Sequence, residues 1–155
     1  MISPKDELPL ALRTAYLTLH RRSDAVFVEY GITADQFVLL ATLARGQAMT
    51  QRELAARMPS DPSTVRAMLV LLEKQGLVTR EAHPTDARAR TVSLTKSGLR
   101  TFQQAFDAGQ EVRDQMVTSL SASETRVLLS LLQRMTESLN NSGAEKATAV
   151  ARQPD

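Results

Sequence analysis

Several residue types are missing or scarce in this chain of 155 residues, and each absence excludes a class of protein. There is no cysteine, so disulfides, zinc sites built on thiolates and a cysteine-based peroxide switch are excluded. There is no tryptophan, only 4% of the residues are aromatic and only six are glycine. Together with many leucine, alanine, arginine and glutamine residues, this composition favours helices.

Long apolar runs are also absent. No run reaches the ~18 apolar residues that a membrane span requires. The first residues, Met1–Glu7, carry acidic charge and have no apolar signal core. We therefore expect a cytoplasmic protein of one domain with no membrane partner.

Charge is unevenly distributed along the chain. Residues 51–100 contain nine basic and five acidic side chains, a net charge of +4, which leaves −2 for the remainder of the +2 total. A basic module between neutral or acidic flanks is typical of a DNA-facing surface. A solvated surface of mixed charge would give the same count.

Two short helices joined by a tight turn are predicted within this basic module. Thr50 and Glu53 have the spacing of a capping box, which begins the first helix. Asp61 is a good N-cap for the second helix, and Pro62 fits its first position. Gly76 is expected to end that helix. The second helix has an apolar stripe of helical period, formed by Val65, Met68, Leu69 and Leu72.

Two strands with a polar tip follow these helices. Residues 77–80 and 91–94 alternate apolar and polar side chains, as half-buried strands do. The tip between them contains Asp86, Arg88 and Arg90. Helix, turn, helix and hairpin in this order are the plan of a winged helix-turn-helix, which points to DNA.

Three motifs here resemble the MarR family of bacterial transcription regulators. Glu73–Arg80 is similar to the family's L-E-x-x-G-L-V-x-R run, which leaves the recognition helix. Asp86–Thr95 resembles its wing, D-x-R-x-[KR]-x-V-x-L-T, and Lys96-Ser97-Gly98 matches the K-x-G that follows. The resemblance covers residues 8–140.

The chain departs from the family pattern at two places. Ala87 stands where the family often has a second basic residue, which weakens phosphate contact at the wing. Val70-Leu71 stands where the family commonly has an acidic-basic pair. The second departure leaves an apolar middle to the recognition helix.

The resemblance implies a mainly α fold with a small β-wing. A winged helix-turn-helix core at 33–95 would be flanked by long N- and C-terminal dimerisation helices at 8–30 and 96–140. These parts form a single MarR-like domain over 1–140. Residues 141–155 lose periodicity and are expected to be a disordered tail.

The boundaries of the helices outside the turn region follow from local signals. Capping boxes at Thr33–Gln36 and Ser121–Glu124 open two of them, and Thr95 caps another. The predicted ranges are 8–30, 34–44, 96–120 and 122–140.

The terminal helices carry more apolar side chains than one small winged module can cover. Either these side chains form a core within the chain, or the helices pack across a two-fold axis. The resemblance implies a homodimer, which would place two recognition helices one DNA turn apart on a pseudo-palindrome. The side chains are Leu8, Leu12, Leu19, Met116, Leu120, Val127, Leu128, Leu131, Leu132 and Met135.

The recognition helix would place its N-terminal residues in the major groove of double-stranded DNA. Ser63 and Thr64 can meet base edges or phosphates, or they can only finish the helix cap. Arg66 can pair with guanine or a phosphate, and Ala67 can touch a thymine methyl. Ser60, in the preceding turn, is within reach of phosphates.

The wing has its own assignments. The resemblance implies that Arg88 enters the minor groove, where narrow A·T tracts concentrate negative potential; the alternative is an idle solvated charge. Asp86 is expected to support the wing by accepting backbone N–H bonds or orienting an arginine. Arg90 would pair with Asp86 or with a phosphate.

Many relatives bind a small anionic aromatic effector beside the dimer helices. Tyr16, His20, Arg21 and Phe27 could line such a pocket, or they could be ordinary core and packing contacts. His20 and His83 are too isolated for a metal site. Because no catalytic constellation or cofactor motif appears, we expect no enzyme and no cofactor.

The function predicted from the sequence is therefore a DNA-binding transcription regulator. We expect a ligand-responsive repressor that binds a pseudo-palindromic operator as a homodimer. The alternative is a winged-helix protein-interaction module without sequence-specific DNA binding.

Overall fold

The computed structural model describes residues 1–46 and 48–150, with side chains described up to residue 143. Residues 1–113 form one compact unit, and the second unit begins at Asp114. The fold is mainly α with a small antiparallel sheet, as predicted. Its helices are α1 (Pro4–Phe27), α2 (Ala34–Ala44), α3 (Gln51–Arg57), α4 (Pro62–Lys74), α5 (Lys96–Ala108), α6 (Gln110–Met116) and α7 (Ala122–Val150), and its strands are β1 (Met49–Thr50), β2 (Val78–Ala82) and β3 (Arg90–Leu94).

Side-chain caps begin these helices where the sequence predicted them. The hydroxyl oxygen of Thr33 accepts the backbone N–H of Gln36 at 3.1 Å, and the side-chain oxygen Oε1 of Gln36 accepts the backbone N–H of Thr33 at 3.0 Å. Thr50 and Glu53 form the same reciprocal pair at α3, and Ser121 and Glu124 form it at α7. The three predicted capping boxes are confirmed.

The sheet has three strands in the order β1-β3-β2. In the wing hairpin, Val78 pairs with Leu94 and Ala82 with Arg90. On the other side of β3, Thr50 of β1 pairs with Thr91. Strand β1 was not predicted, because its two residues carry no alternating pattern and its pairing joins distant parts of the chain.

The core of the first unit lies between α2, α3, α4 and the sheet. The predicted stripe of α4 is confirmed, because Val65, Met68, Leu69 and Leu72 are all buried. Each fully buried leucine or valine contributes roughly 1.5–3 kcal/mol through removal from water. The most completely buried large side chains are Leu39, Leu40, Leu54, Val65, Leu69, Leu72, Val78 and Val92.

Two glycines fix the junction between α4, the wing and α5. Gly76 has a φ of 72°, which glycine adopts without the cost of a Cβ clash, so the predicted glycine ending of α4 is confirmed. A Cβ added to Gly98 would overlap the carbonyl oxygen of Leu77. That oxygen accepts the N–H of Thr95 at 3.1 Å, and the Thr95 hydroxyl donates to the Gly76 carbonyl at 2.6 Å.

The first helix differs from its predicted range of 8–30. It begins at Pro4, because the Asp6 carboxylate accepts the backbone N–H of Ser3 at 3.3 Å and Pro4 suits the first helical position. It ends at Phe27, and a tighter 3-10 turn continues to Tyr30. Pro9 lies inside the helix, within its first two turns.

The helix predicted over 96–120 is also shorter. It ends at Ala108, and Gly109, a poor helix former, separates it from α6. After Met116 the bonds tighten to three-residue spacing, with the N–H of Val117 donating to the carbonyl of Asp114 at 3.2 Å. The cap at Thr95 is confirmed, because its hydroxyl oxygen accepts the N–H of Gly98 at 2.9 Å.

Helix α7 continues past its predicted end at Asn140 and reaches Val150. The expectation of a disordered tail is therefore wrong for residues 141–150, whereas residues 151–155 lie outside the described residues. The hydroxyl of Ser142 donates to the backbone carbonyl of Ser138, four residues earlier, at 2.9 Å. This bond is compatible with the helical backbone, so the polar composition of the segment does not end the helix.

In the described part of the chain, no helix is by itself long and apolar enough to cross a membrane. The segment Pro4–Tyr30 combined with α2 passes that test on length and composition alone, with a bend of 77° between the two.

Candidate nucleic-acid interface

The start of α4 is held by Asp61, which lies just before the helix. Its carboxylate accepts the backbone N–H of Thr64 at 3.0 Å, the Thr64 hydroxyl at 2.7 Å and the Ser63 hydroxyl at 2.9 Å. These bonds, those from Thr64 first, lower the pKa of Asp61 to about 2. Ser63 and Thr64 therefore finish the helix cap, and their hydroxyl oxygens keep exposed lone pairs.

The exposed face of α4 carries the other predicted major-groove residues. Arg66 and Ala67 are exposed, on the side of the helix away from the buried stripe. Ser60, in the turn before the helix, is half-buried. The structure thus leaves Ser63, Thr64, Arg66 and Ala67 open to a ligand and makes Ser60 less accessible.

The tip of the wing is ordered by short-range hydrogen bonds. Asp86 accepts the backbone N–H of Arg88 at 3.0 Å, which is the kind of contact predicted for it. The N–H of Ala89 donates to the Asp86 carbonyl at 3.1 Å, and the Nδ1 of His83 accepts the N–H groups of Thr85 and Asp86 at 3.2 Å each. The side chain of Arg88 is exposed at the end of this ordered turn.

An ion pair joins the recognition helix to the wing. Glu73 of α4 accepts two hydrogen bonds from the Arg80 guanidinium of β2, at 3.1 and 3.0 Å. The bond from Arg80 lowers the pKa of Glu73, to which the charges of Arg80 and Arg90 also contribute, and the bond to Glu73 raises the pKa of Arg80. Both residues belong to a family motif, but their pairing was not predicted from the sequence.

Arg90 was predicted to pair with Asp86 or with a phosphate, and the contacts of its side chain bear on this choice. Among the ion pairs of the described residues, none joins Arg90 to Asp86. The exposed Arg90 side chain acts electrostatically on Glu73. Its guanidinium is therefore open to a phosphate.

A groove of about 790 Å³ lies between the helix-turn-helix and the wing tip. It brings together three of the predicted arginines, Arg66, Arg88 and Arg90, with Asp86. It adds Arg52 at the start of α3, which was not predicted as a DNA contact although its charge belongs to the basic module. Four arginines against one acid make this groove a strongly cationic surface. The lining residues are Thr50, Gln51, Arg52, Ala55, Ala56, Pro62, Val65, Arg66, Asp86, Arg88, Ala89 and Arg90.

The residues predicted to line an effector pocket are not all brought together. The rings of Tyr16 and His20 lie 5.7 Å apart on one face of α1, as their spacing predicted, and Arg21 is exposed. Phe27 is only 4% exposed and stacks on Phe37 at 4.4 Å, so its assignment to an open pocket is wrong. It belongs to the core because it faces α2 at the end of α1.

His20 has two acidic neighbours that were not predicted from the sequence. Its Nδ1 lies 3.3 Å from Asp24 and its Nε2 lies 3.4 Å from Asp35. Partial burial, followed by the charges of Asp35 and Asp24, raises the pKa of Tyr16. Two carboxylates beside His20 oppose the binding of an anion there. Among the described residues, no group of three acidic, histidine or cysteine side chains has the arrangement of a metal site.

Comparisons with known proteins agree with this geometry. The MarR family profile matches residues 32–89. The HTH-type transcriptional repressor NicR of Pseudomonas putida is 30% identical over 136 residues, covering 85% of this chain and 84% of that protein. An uncharacterized HTH-type transcriptional regulator of Bacillus subtilis, YdgJ, is 30% identical over 111 residues, covering 72% and 68%.

Among solved structures, a mutant of MarR from Escherichia coli complexed with operator DNA superposes with a TM-score of 0.77 at 26% identity, covering 83% of this chain and 92% of that one. Profile, relatives, fold and the cationic groove beside the recognition helix lead to one conclusion: this chain is a DNA-binding transcription regulator that belongs to the MarR family.

Proposed function

We propose that this protein is a repressor that binds a pseudo-palindromic operator as a homodimer. The groove carries the proposal, because Arg52, Arg66, Arg88 and Arg90 converge on one concave surface beside the exposed face of α4. Converging guanidinium groups suit a phosphate backbone, which they would bind with release of counterions. A repressor relative supports the sign of regulation.

Each side of the groove would contact a different part of the duplex. Arg66 and Ala67 on α4 would face base edges in the major groove, and Arg88 would enter the adjacent minor groove. Arg52 and Arg90, which line the same groove of the protein, would bind phosphates of the DNA strand that runs between the major and minor grooves. Asp86 acts indirectly, because it fixes the turn that carries Arg88.

Ser63 and Thr64 would read bases as acceptors. Both hydroxyls donate their proton to Asp61 in the free protein. The lone pairs left on these oxygens can accept from the amino groups of adenine or cytosine, which the major groove displays. Ser60, which is half-buried, is the weakest of the proposed contacts and would reach only a phosphate.

The experiment is a titration of a palindromic promoter fragment with wild type and the Arg88→Ala variant, in salt between about 50 and 200 mM. Wild-type affinity should fall at least tenfold over this range. Arg88→Ala should weaken binding by about 1–3 kcal/mol, since it removes a desolvated contact. Arg45→Ala, an exposed arginine outside the groove, is the control and should bind like wild type.

The rival function predicts a different result. A winged-helix module that binds only a protein partner would show weak affinity for every duplex and no difference between Arg88→Ala and Arg45→Ala. That outcome would overturn the operator-binding proposal.

Homodimer formation is proposed from the apolar surface of the terminal helices. Leu8 and Leu12 on α1 remain exposed, as do Val127, Leu128 and Leu131 on α7. Single exposed apolar residues are ordinary, but contiguous apolar faces mark interfaces. A second copy of the chain would cover them and set the spacing of the two recognition helices.

Sedimentation of three forms of the protein tests the dimer. Full-length protein should be a dimer at micromolar concentration, because obligate interfaces commonly bury more than ~2,000 Å². Removing residues 121–155 should give a monomer or an aggregate that no longer binds the operator. Removing only 143–155 should change little. A monomeric full-length protein would contradict both the dimer and the palindromic operator.

Control by a ligand is the remaining part of the proposal. A small aromatic effector would release the operator by favouring a dimer shape whose recognition helices no longer match the half-site spacing. This requires only different affinities for two conformations. Tyr16, His20 and Arg21 remain the proposed contacts, with Asp24 and Asp35 limiting how much negative charge the effector can carry.

A further inference from the structure

The exposed face of α4 carries an apolar patch that the arginine groove does not explain. Val70 is 40% exposed and Leu71 is 51% exposed, three and four residues after the small side chain of Ala67. We call Ala67, Val70 and Leu71 the apolar patch. Arg66 precedes it and Lys74 follows it on the same exposed side.

Helical spacing aligns this patch with the residues proposed to read bases. Val70 is four residues after Arg66 and three after Ala67, so it lies one turn further along the same face. The axial distance from Ala67 to Val70 is about 4.5 Å at 1.5 Å per residue. It is comparable to the roughly 3.4 Å step between successive bases of one DNA strand.

We propose that Val70, supported by Leu71, contacts the 5-methyl groups of thymine in the operator and makes the protein select T·A pairs there. The inference rests on the proposed operator binding and deepens it. Thymine is the one base that presents a methyl group in the major groove, and apolar side chains recognise it by contact.

Charge favours DNA over a protein partner as the occupant of this patch. Its two neighbours along the exposed face, Arg66 and Lys74, are cationic. The nearest acid on α4, Glu73, is held by two hydrogen bonds from Arg80. An apolar patch between two cations matches the major groove of DNA, whose floor carries thymine methyl groups and whose edges carry phosphates.

The test begins with selection of a high-affinity duplex by wild-type protein from a randomised library. Each thymine of the selected half-site is then replaced by uracil, which removes only the methyl group. At one or two positions wild-type affinity should fall about fourfold, the ratio equivalent to ~0.8 kcal/mol for one buried carbon. The Val70→Ala variant should lose this sensitivity at those positions.

Val38→Ala is the matched control, because Val38 is a helical valine of similar exposure, 43%, on α2. This variant should respond to uracil like wild type. Both variants should fold, since alanine is a good helix former and neither valine is buried.

The outcomes separate the inference from the function beneath it. If no sequence is enriched, operator binding itself is overturned. If a sequence is enriched but uracil changes affinity by less than twofold at every position, methyl recognition is overturned. If Val70→Ala keeps the full uracil sensitivity, the assignment to Val70 is overturned, and Ala67, which lies on the same exposed face, becomes the better candidate for the methyl contact.

Discussion

Replacing Gly98 with alanine tests the junction that joins the wing to α5. An alanine in the first turn of an exposed helix ordinarily stabilises it relative to glycine, by up to ~1 kcal/mol. At this position the added Cβ would overlap the carbonyl oxygen of Leu77, which is backbone and cannot rotate away. We therefore expect the opposite sign.

The size of the change in the free energy of unfolding follows from the displacement of the Leu77 backbone. Overpacking a close contact costs about 1–3 kcal/mol. Displacing Leu77 also strains its hydrogen bond from the N–H of Thr95, which contributes about 0.5–1.5 kcal/mol. After the gain in helix propensity, the free energy of unfolding should fall by about 1–3 kcal/mol.

Urea unfolding followed by circular dichroism measures this change, at a fixed protein concentration because a dimer's stability depends on it. Gly143→Ala is the control, since a Cβ there has no atom within 4 Å. The control should be neutral or slightly stabilising. Equal stability of the Gly98→Ala variant and wild type, or a gain, would refute the proposed overlap.

Two further substitutions test the charges of α4 through pH. Asp61→Ala removes the capping carboxylate, whose pKa is about 2 compared with 3.8 for a free aspartate. The difference in the free energy of unfolding between wild type and this variant should therefore be full above about pH 4 and disappear as the pH falls through 2. Glu73→Gln breaks the ion pair with Arg80. Because the pKa of Glu73 is lowered, this loss of stability should be present at neutral pH and shrink below about pH 4.5. If the difference in stability between wild type and a variant does not change with pH, the capping role of Asp61 or the ion pair of Glu73 with Arg80, respectively, is contradicted.

The elements that the sequence predicted well depend on contacts between near neighbours. Thr33 with Gln36 and Thr50 with Glu53 are three residues apart, so one short motif contains the whole capping interaction. The buried stripe of α4 is equally local. In the groove, Arg88 and Arg90 were predicted from the wing motif, and Arg66 from its place near the start of the recognition helix.

The features that the sequence could not predict depend on distant partners or on weak signals. Strand β1 exists because Thr50 meets Thr91, forty-one positions away in sequence. Phe27 became a core residue because Phe37 stacks on it, which helical spacing alone does not reveal. The end of α5 at Gly109 and the continuation of α7 beyond Asn140 turn on small propensity differences.

Thr50 serves two elements at once. Its backbone pairs with Thr91 as the end of β1, and its hydroxyl accepts the N–H of Glu53 to close the first turn of α3. A displacement of the wing would therefore also move the start of α3, and the ion pair of Glu73 with Arg80 makes a second link, at α4. We expect the wing and the helix-turn-helix to move together, so that the groove between them keeps its width. In a dimer, an effector would then change the distance between the two DNA-binding lobes and leave the shape of each unchanged.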